Sequence, residues 1–180
     1  MSVSGKAGKT NAMRLLDQAD IPYEVLEYDT SDGQLDACSM ARKIGRSPDQ
    51  VFKTLVTTSG AGEFYVFVVP GSGELDLKAA ARAAGCKKIE MIPQKTLFPL
   101  TGYVHGGCSP VGMKKAFPTF IDETAQLFDR ICVSGGKIGL PSFPPLLPSF
   151  AAFPPLLRRT FPPLLQRVFL PSPLRVSFQR

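Results

Sequence analysis

Val51-Phe52-Lys53-Thr54-Leu55-Val56-Thr57-Thr58, then Ser59-Gly60-Ala61-Gly62, then Glu63-Phe64-Tyr65-Val66-Phe67-Val68-Val69 is the stretch on which the reading of the fold rests. Two runs rich in β-branched and aromatic residues flank a short linker with two glycines, the pattern of a β-hairpin. Alternation along the first strand puts Lys53 on one face with Val51 and Leu55. An ammonium among aliphatic side chains must reach outward, pair, or shift its pKa. Lys53 is therefore a candidate functional cation, with a solvated edge lysine as the plainer reading.

Upstream, Thr10 or Asn11 can cap a helix whose apolar stripe is Ala12, Leu15, Leu16 and Ala19, with Pro22 beyond its end. Tyr23 to Tyr28 reads as a strand and Ser31 to Gly33 as a turn. Asp36 caps a second helix carrying Ala37, Met40, Ala41 and Ile44, closed by Gly45, and Ser47 to Gln50 reads as a loop or one tight helical turn. Downstream, Asp76 caps Leu77 to Ala84, which ends at Gly85. Lys87 to Ile92 reads as a strand with Ile89 and Met91 on one face, followed by a short helix near Pro93 to Leu97. Tyr103 to Met113 is a glycine-rich loop, and Thr119 to Asp122 and Arg130 to Val133 are short runs of strand character. Strands that follow one another without intervening helices predict a mixed α+β fold rather than a regularly alternating parallel sheet.

Charge divides the chain near residue 140. Residues 141 to 180 hold ten of the 17 prolines and five arginines but no lysine, aspartate or glutamate. The first 140 residues therefore carry 16 basic against 15 acidic side chains, so +5 of the overall +6 belongs to the tail and does not mark the core as a nucleic-acid or membrane binder. Phe-Pro-Pro-Leu-Leu begins at Phe143, Phe153 and Phe161. Prolines at that spacing exclude a helix and a transmembrane span. The abrupt shift reads as translation out of frame; a polyproline ligand and an extended arm on the core are the alternatives. The expected organisation is a flexible 1–8, a domain over 9–140 and an atypical, non-native or disordered 141–180. Met1 to Asn11 lacks the apolar stretch of a secretory signal, so a reducing cytoplasm is expected.

Cys38, Cys86, Cys108 and Cys132 are too widely spaced for a zinc motif, and the one histidine, His105, cannot complete one. No metal and no cofactor are expected. His105 reads as a loop residue, and the scattered carboxylates select no acid–base pair. The remaining feature is His105-Gly106-Gly107-Cys108-Ser109-Pro110-Val111-Gly112-Met113-Lys114, where adjacent glycines let backbone N–H groups approach an oxyanion. Tight turns use the same pair.

The segments Pro48 to Leu55, Leu75 to Lys78, Lys87-Lys88 before Glu90-Met91, Thr101 to Tyr103, Gly106-Gly107 with Ser109-Pro110, Gly112 and Lys114-Lys115, and Val133 to Lys137 together resemble the YbaK/EbsC family, over about Ala7 to Leu140. That family comprises free-standing relatives of the editing domain inserted in some prolyl-tRNA synthetases. The resemblance implies an α+β fold with a mainly antiparallel, barrel-like core and flanking helices. It also implies aminoacyl-tRNA editing, in which cysteine mischarged onto tRNA(Pro) is released by attack of its own thiol on the ester carbonyl. By resemblance Lys53 is the catalytic residue, and Tyr28, Thr54, Gly106, Gly107 and Ser109 bind substrate. Mischarged tRNA(Pro) and prolyl-tRNA synthetase are the implied partners; no membrane and no DNA are expected. The family's pocket aspartate aligns with Pro141 and is absent, and a pocket aromatic aligning near Asp36 is unmatched. An Ala-tRNA(Pro) deacylase, or an impaired tRNA- or synthetase-binding module, are the alternatives. Cys108 takes an apolar position and reads as packing rather than as a nucleophile.

Overall fold

The computed structural model describes residues 8–60 and 62–143. Helices α1 (Asn11–Gln18), α2 (Ala37–Lys43) and α3 (Leu77–Ala84) begin at the caps expected from sequence. The Thr10 hydroxyl accepts the Met13 N–H at 3.2 Å, the Asp36 carboxylate accepts that of Ser39 at 2.9 Å, and Asp76 accepts two, from Lys78 and Ala79. Each satisfies first-turn donors that the helix itself leaves open. Gly85 then closes α3 in the left-handed region at φ 68°.

Strands β2 (Phe52–Thr58) and β3 (Phe64–Pro70) form the expected antiparallel hairpin, with Phe52 opposite Pro70 and Thr58 opposite Phe64. β4 (Glu90–Met91) joins β2, and β5 (Thr119–Ile121) runs parallel to β3, giving the order β4-β2-β3-β5. A second sheet orders β1 (Glu24–Val25), β7 (Leu140–Phe143) and β6 (Val133–Lys137) as β1-β7-β6, antiparallel throughout. The two sheets are stitched where β2 begins: the Phe52 N–H donates to the Cys132 carbonyl at 2.7 Å and the Cys132 N–H to the Gln50 carbonyl at 2.9 Å. The α+β class and the mainly antiparallel pairing are thus those expected.

The hairpin is buried on both faces. Phe52, Val56, Val66 and Val68 pack with Leu97, Tyr103, Cys108, Phe117, Ile131 and Val133. On the other face Phe67 and Val69 meet the alanines of α3 and Phe120, whose ring stacks on Phe67 at 5.0 Å. Small side chains let α3 lie close to the sheet.

Several boundaries differ from the sequence reading. The strand expected over Tyr23 to Tyr28 is only two residues, because only Glu24 and Val25 have a ladder partner, in β7. Helix α4 (Gln94–Thr101) continues through Pro99, which is exposed and removes one donor of an eight-residue helix. The strand expected to end at Val133 instead begins there and passes through Gly135-Gly136, since pairing with β7 overrides weak local propensity. Met91 is exposed while Ile89 is buried, so the two do not share an apolar face. β7 crosses the expected boundary at 140 by three residues. The expectations for 1–7 and for the repeats beyond Phe143 lie outside the described residues.

Candidate functional site

Successive residues of a strand point to opposite faces, so Lys53 and Thr54 do not share one. Thr54 lies on the face of Phe52 and Val56. Its Oγ1 is buried and has no hydrogen-bond partner, whereas Thr57 and Thr58 of the same strand donate to the carbonyls of Tyr65 and Glu63. Lys53 stands opposite Val69, between Val51, which packs beneath α2, and Leu55, which packs toward α3. It is half-buried, and among the described residues no hydrogen bond or ion pair holds its ammonium. Consecutive positions of one strand thus carry a cation and a hydroxyl, on opposite faces, that have no partner among the described residues.

The glycine loop between α4 and β5 is held from within. The Tyr103 hydroxyl donates to the Val111 carbonyl at 2.7 Å, the Val111 N–H donates to Ser109 Oγ, and the Asn11 amide donates to the Gly112 carbonyl at 2.7 Å. Ser109 is buried and occupied in this turn rather than presented to solvent. At its tip, Gly106 has φ 78°, and a Cβ there would lie 3.3 Å from the Leu35 side chain. A Cβ on Gly107 would lie 3.0 Å from Ile138 N and 3.1 Å from Lys137 C. The loop is thereby wedged between the segment leading into α2 and the turn joining β6 to β7.

Tyr28 reaches the same turn, its N–H donating to the Gly139 carbonyl at 3.3 Å, and burial pushes its phenol above the usual pKa. Lys43, in the last turn of α2, pins the intervening loop: its ammonium donates to Asp29 O, Asp32 Oδ1 and Gln34 O and lies 5.7 Å from the centre of the Tyr28 ring. The structure thus brings Tyr28, Gly106 and Gly107 together around the β6–β7 turn. β2, which carries Lys53 and Thr54, joins that region through its hydrogen bonds to Cys132 and through Phe52 and Val56, which pack with Tyr103, Cys108 and Val133; among the described residues no hydrogen bond links Lys53 or Thr54 to the glycine loop. Sequence reasoning missed Leu35, Lys43 and the turn at Lys137 to Gly139. Gly136 and Gly139, both at positive φ, were the available signal for the last.

The two buried thiols are poor nucleophiles. Burial pushes both Cys108 and Cys132 up to about 12, leaving them protonated near neutrality. His105 is exposed, without a hydrogen-bond or ion-pair partner among the described residues. Among the described residues the region of Lys53, Thr54, Tyr28 and the glycine loop offers a cation, hydroxyls and backbone donors.

The fold is shared with solved structures. That of a hypothetical protein, APE2540, superposes with a TM-score of 0.68 at 21 % identity, covering 74 % of this chain and 87 % of that one. One described as a putative trans-editing enzyme for prolyl tRNA synthetase gives 0.63 at 25 % identity, over 76 % and 87 %. The aminoacyl-tRNA editing domain family matches residues 34–139, and the chain belongs to it. It is 48 % identical, over 132 residues, to an Enterococcus faecalis protein named as a Cys-tRNA(Pro)/Cys-tRNA(Cys) deacylase, EbsC, with 73 % of this chain and 80 % of that protein covered. Lys53, Thr54, Gly106, Gly107 and Ser109 fall within the family match and Tyr28 outside it.

Proposed function

We infer that this protein deacylates Cys-tRNA(Pro), using the substrate's own thiol as the nucleophile. The observation that carries the reading is on β2, where a half-buried Lys53 ammonium and a buried Thr54 hydroxyl stand at consecutive positions on opposite faces, neither with a partner among the described residues. Groups left open in this way are groups a ligand completes. The name of the E. faecalis relative supplies the substrate class.

The substrate's sulfur bonds to the ester carbonyl carbon and the ester C–O bond breaks. The thiol proton goes to the departing ribose oxygen, and water then opens the resulting thiolactone. Holding sulfur and carbonyl in register removes much of the entropic barrier. Lys53 stabilises the charge that develops on the carbonyl oxygen or on the leaving ribose, and N–H groups of the glycine loop supply further donors. Tyr28 and Thr54 hold the aminoacyl group. Prolyl-tRNA synthetase is the partner that delivers the tRNA, a role supported by the similarity to a structure described as a trans-editing enzyme for that synthetase.

Alanine fits any pocket that admits cysteine but brings no sulfur, so chemistry discriminates where size cannot. Release of amino acid from Cys-, Ala- and Pro-tRNA(Pro) tests the reading directly. Loss of cysteine alone is expected. Release of alanine would place the protein among Ala-tRNA(Pro) deacylases, and turnover of none by folded protein would leave it a binding module.

A further inference from the structure

Residues 92 to 121 contain no aspartate or glutamate, although the rest of the first 140 residues holds all 15 acids. This acid-free segment is α4 and the glycine loop, and it carries Lys95, Lys114 and Lys115, all exposed. At its centre lies Phe98, 55 % exposed and the one exposed aromatic among the described residues whose burial is assigned. Lys95 and Phe98, three apart on α4, share a helix face. Lys114 closes the group: its stem packs on Gly102, its backbone N–H donates to the Thr101 carbonyl at 2.9 Å, and its ammonium sits 4.8 Å from the centre of the Phe98 ring.

Part of this arrangement is structural, because the Lys114 ammonium also caps α4 by donating to the Phe98 carbonyl at 3.3 Å. A cap does not require an exposed phenyl ring, however. Nor does it account for a second exposed lysine, Lys95, on the same helix face as that ring with no carboxylate in the segment. An exposed aromatic ring beside cations is the chemistry that binds unpaired nucleotides, with bases stacking on the ring and phosphates meeting the lysines. The position also fits, since Gly102 and Lys114 form the base of the loop whose tip is Gly106-Gly107.

We propose that Phe98, flanked by Lys95, Lys114 and Lys115, is a stacking platform for the unpaired 3′ end of the substrate RNA. The proposal deepens the reading of the substrate as an aminoacylated tRNA and rests on it. Its test measures RNA binding, so it gives an answer whether or not ester cleavage is observed.

The chain has no tryptophan, so Phe98→Trp places a sole tryptophan on the platform, excited at the red edge where its four tyrosines do not absorb. Titration with an RNA hairpin ending in an unpaired 3′ C-C-A is expected to quench it, and the blunt-ended hairpin to leave it nearly unchanged. Equal quenching by both, or by neither, overturns the proposal. Anisotropy of the labelled overhang hairpin with unmodified protein and Phe98→Ala serves if the tryptophan variant does not fold. Affinity is expected to fall about tenfold in Phe98→Ala. Replacing the three lysines by glutamine is expected to reduce the salt slope by about 2, at roughly 0.7 for each phosphate no longer neutralised. Unchanged affinity in Phe98→Ala would mean that the patch serves a protein partner instead, and would overturn the proposal.

Discussion

Thr54 buries a hydroxyl that no group in the described protein satisfies. Such an atom costs about 1–3 kcal/mol of desolvation without return in the folded state. Thr54→Val keeps the shape and removes the orphan. The variant is expected to melt at the same temperature or higher, by up to about 1 kcal/mol of stability, while deacylation falls. A destabilised variant with full activity would show the hydroxyl to be structural. Gly107 is the opposite case. A Cβ there would come within 3.0 Å of Ile138 N and 3.1 Å of Lys137 C, so any side chain must push back the backbone of the β6–β7 turn. Gly107→Ala is expected to lower stability by about 1–3 kcal/mol, read by denaturant midpoint, and to weaken activity through displacement of the loop. The sequence suggested that both glycines serve a ligand's approach; in the structure each also has a reason internal to the fold.

Among the elements, β7 is the central strand of the second sheet. Four residues pair with β1 on one side and β6 on the other, and the turn before them holds Tyr28 and Gly107. A chain ending at Gly139 is expected to be less stable than one ending at Phe143, and to lose activity more than its stability explains. Thermal melts and turnover of the two truncations check this. The hairpin and the caps at Thr10, Asp36 and Asp76 were legible in the sequence because turn and cap chemistry act over a few residues. β1 and β6 were not, because partners far along the chain define them, and Ser134-Gly135-Gly136 has little strand propensity of its own. The site divides in the same way. Lys53 and the glycine loop stood out as local patterns, whereas the packing of Leu35 on Gly106 and the pinning of the 29–34 loop by Lys43 depend on the tertiary fold.

Over the whole molecule, net charge conceals a segregation: the first 140 residues are near neutral, yet their acids avoid the segment that carries the glycine loop and the Phe98 platform. A nearly neutral domain can thus still present one cationic face to RNA. Titration behaviour also belongs to this scale. Burial holds Cys108, Cys132 and Tyr103 protonated up to about pH 12. The unfolded chain releases those protons nearer 9 to 10, so in that window the native state binds more of them. Stability is therefore expected to be full below about pH 9 and to fall as pH rises toward 12. Denaturant midpoints across about pH 8 to 11 check the sign, and Cys108→Ala is expected to flatten the fall. The central claim, that a lysine on β2 and the substrate's own thiol together do the chemistry, is tested most directly by release of cysteine from Cys-tRNA(Pro) by the full chain and its Lys53→Ala variant. The account predicts rapid release by the first and a loss of at least about a hundredfold in the second, with the fold retained. Undiminished release by folded Lys53→Ala protein would contradict it.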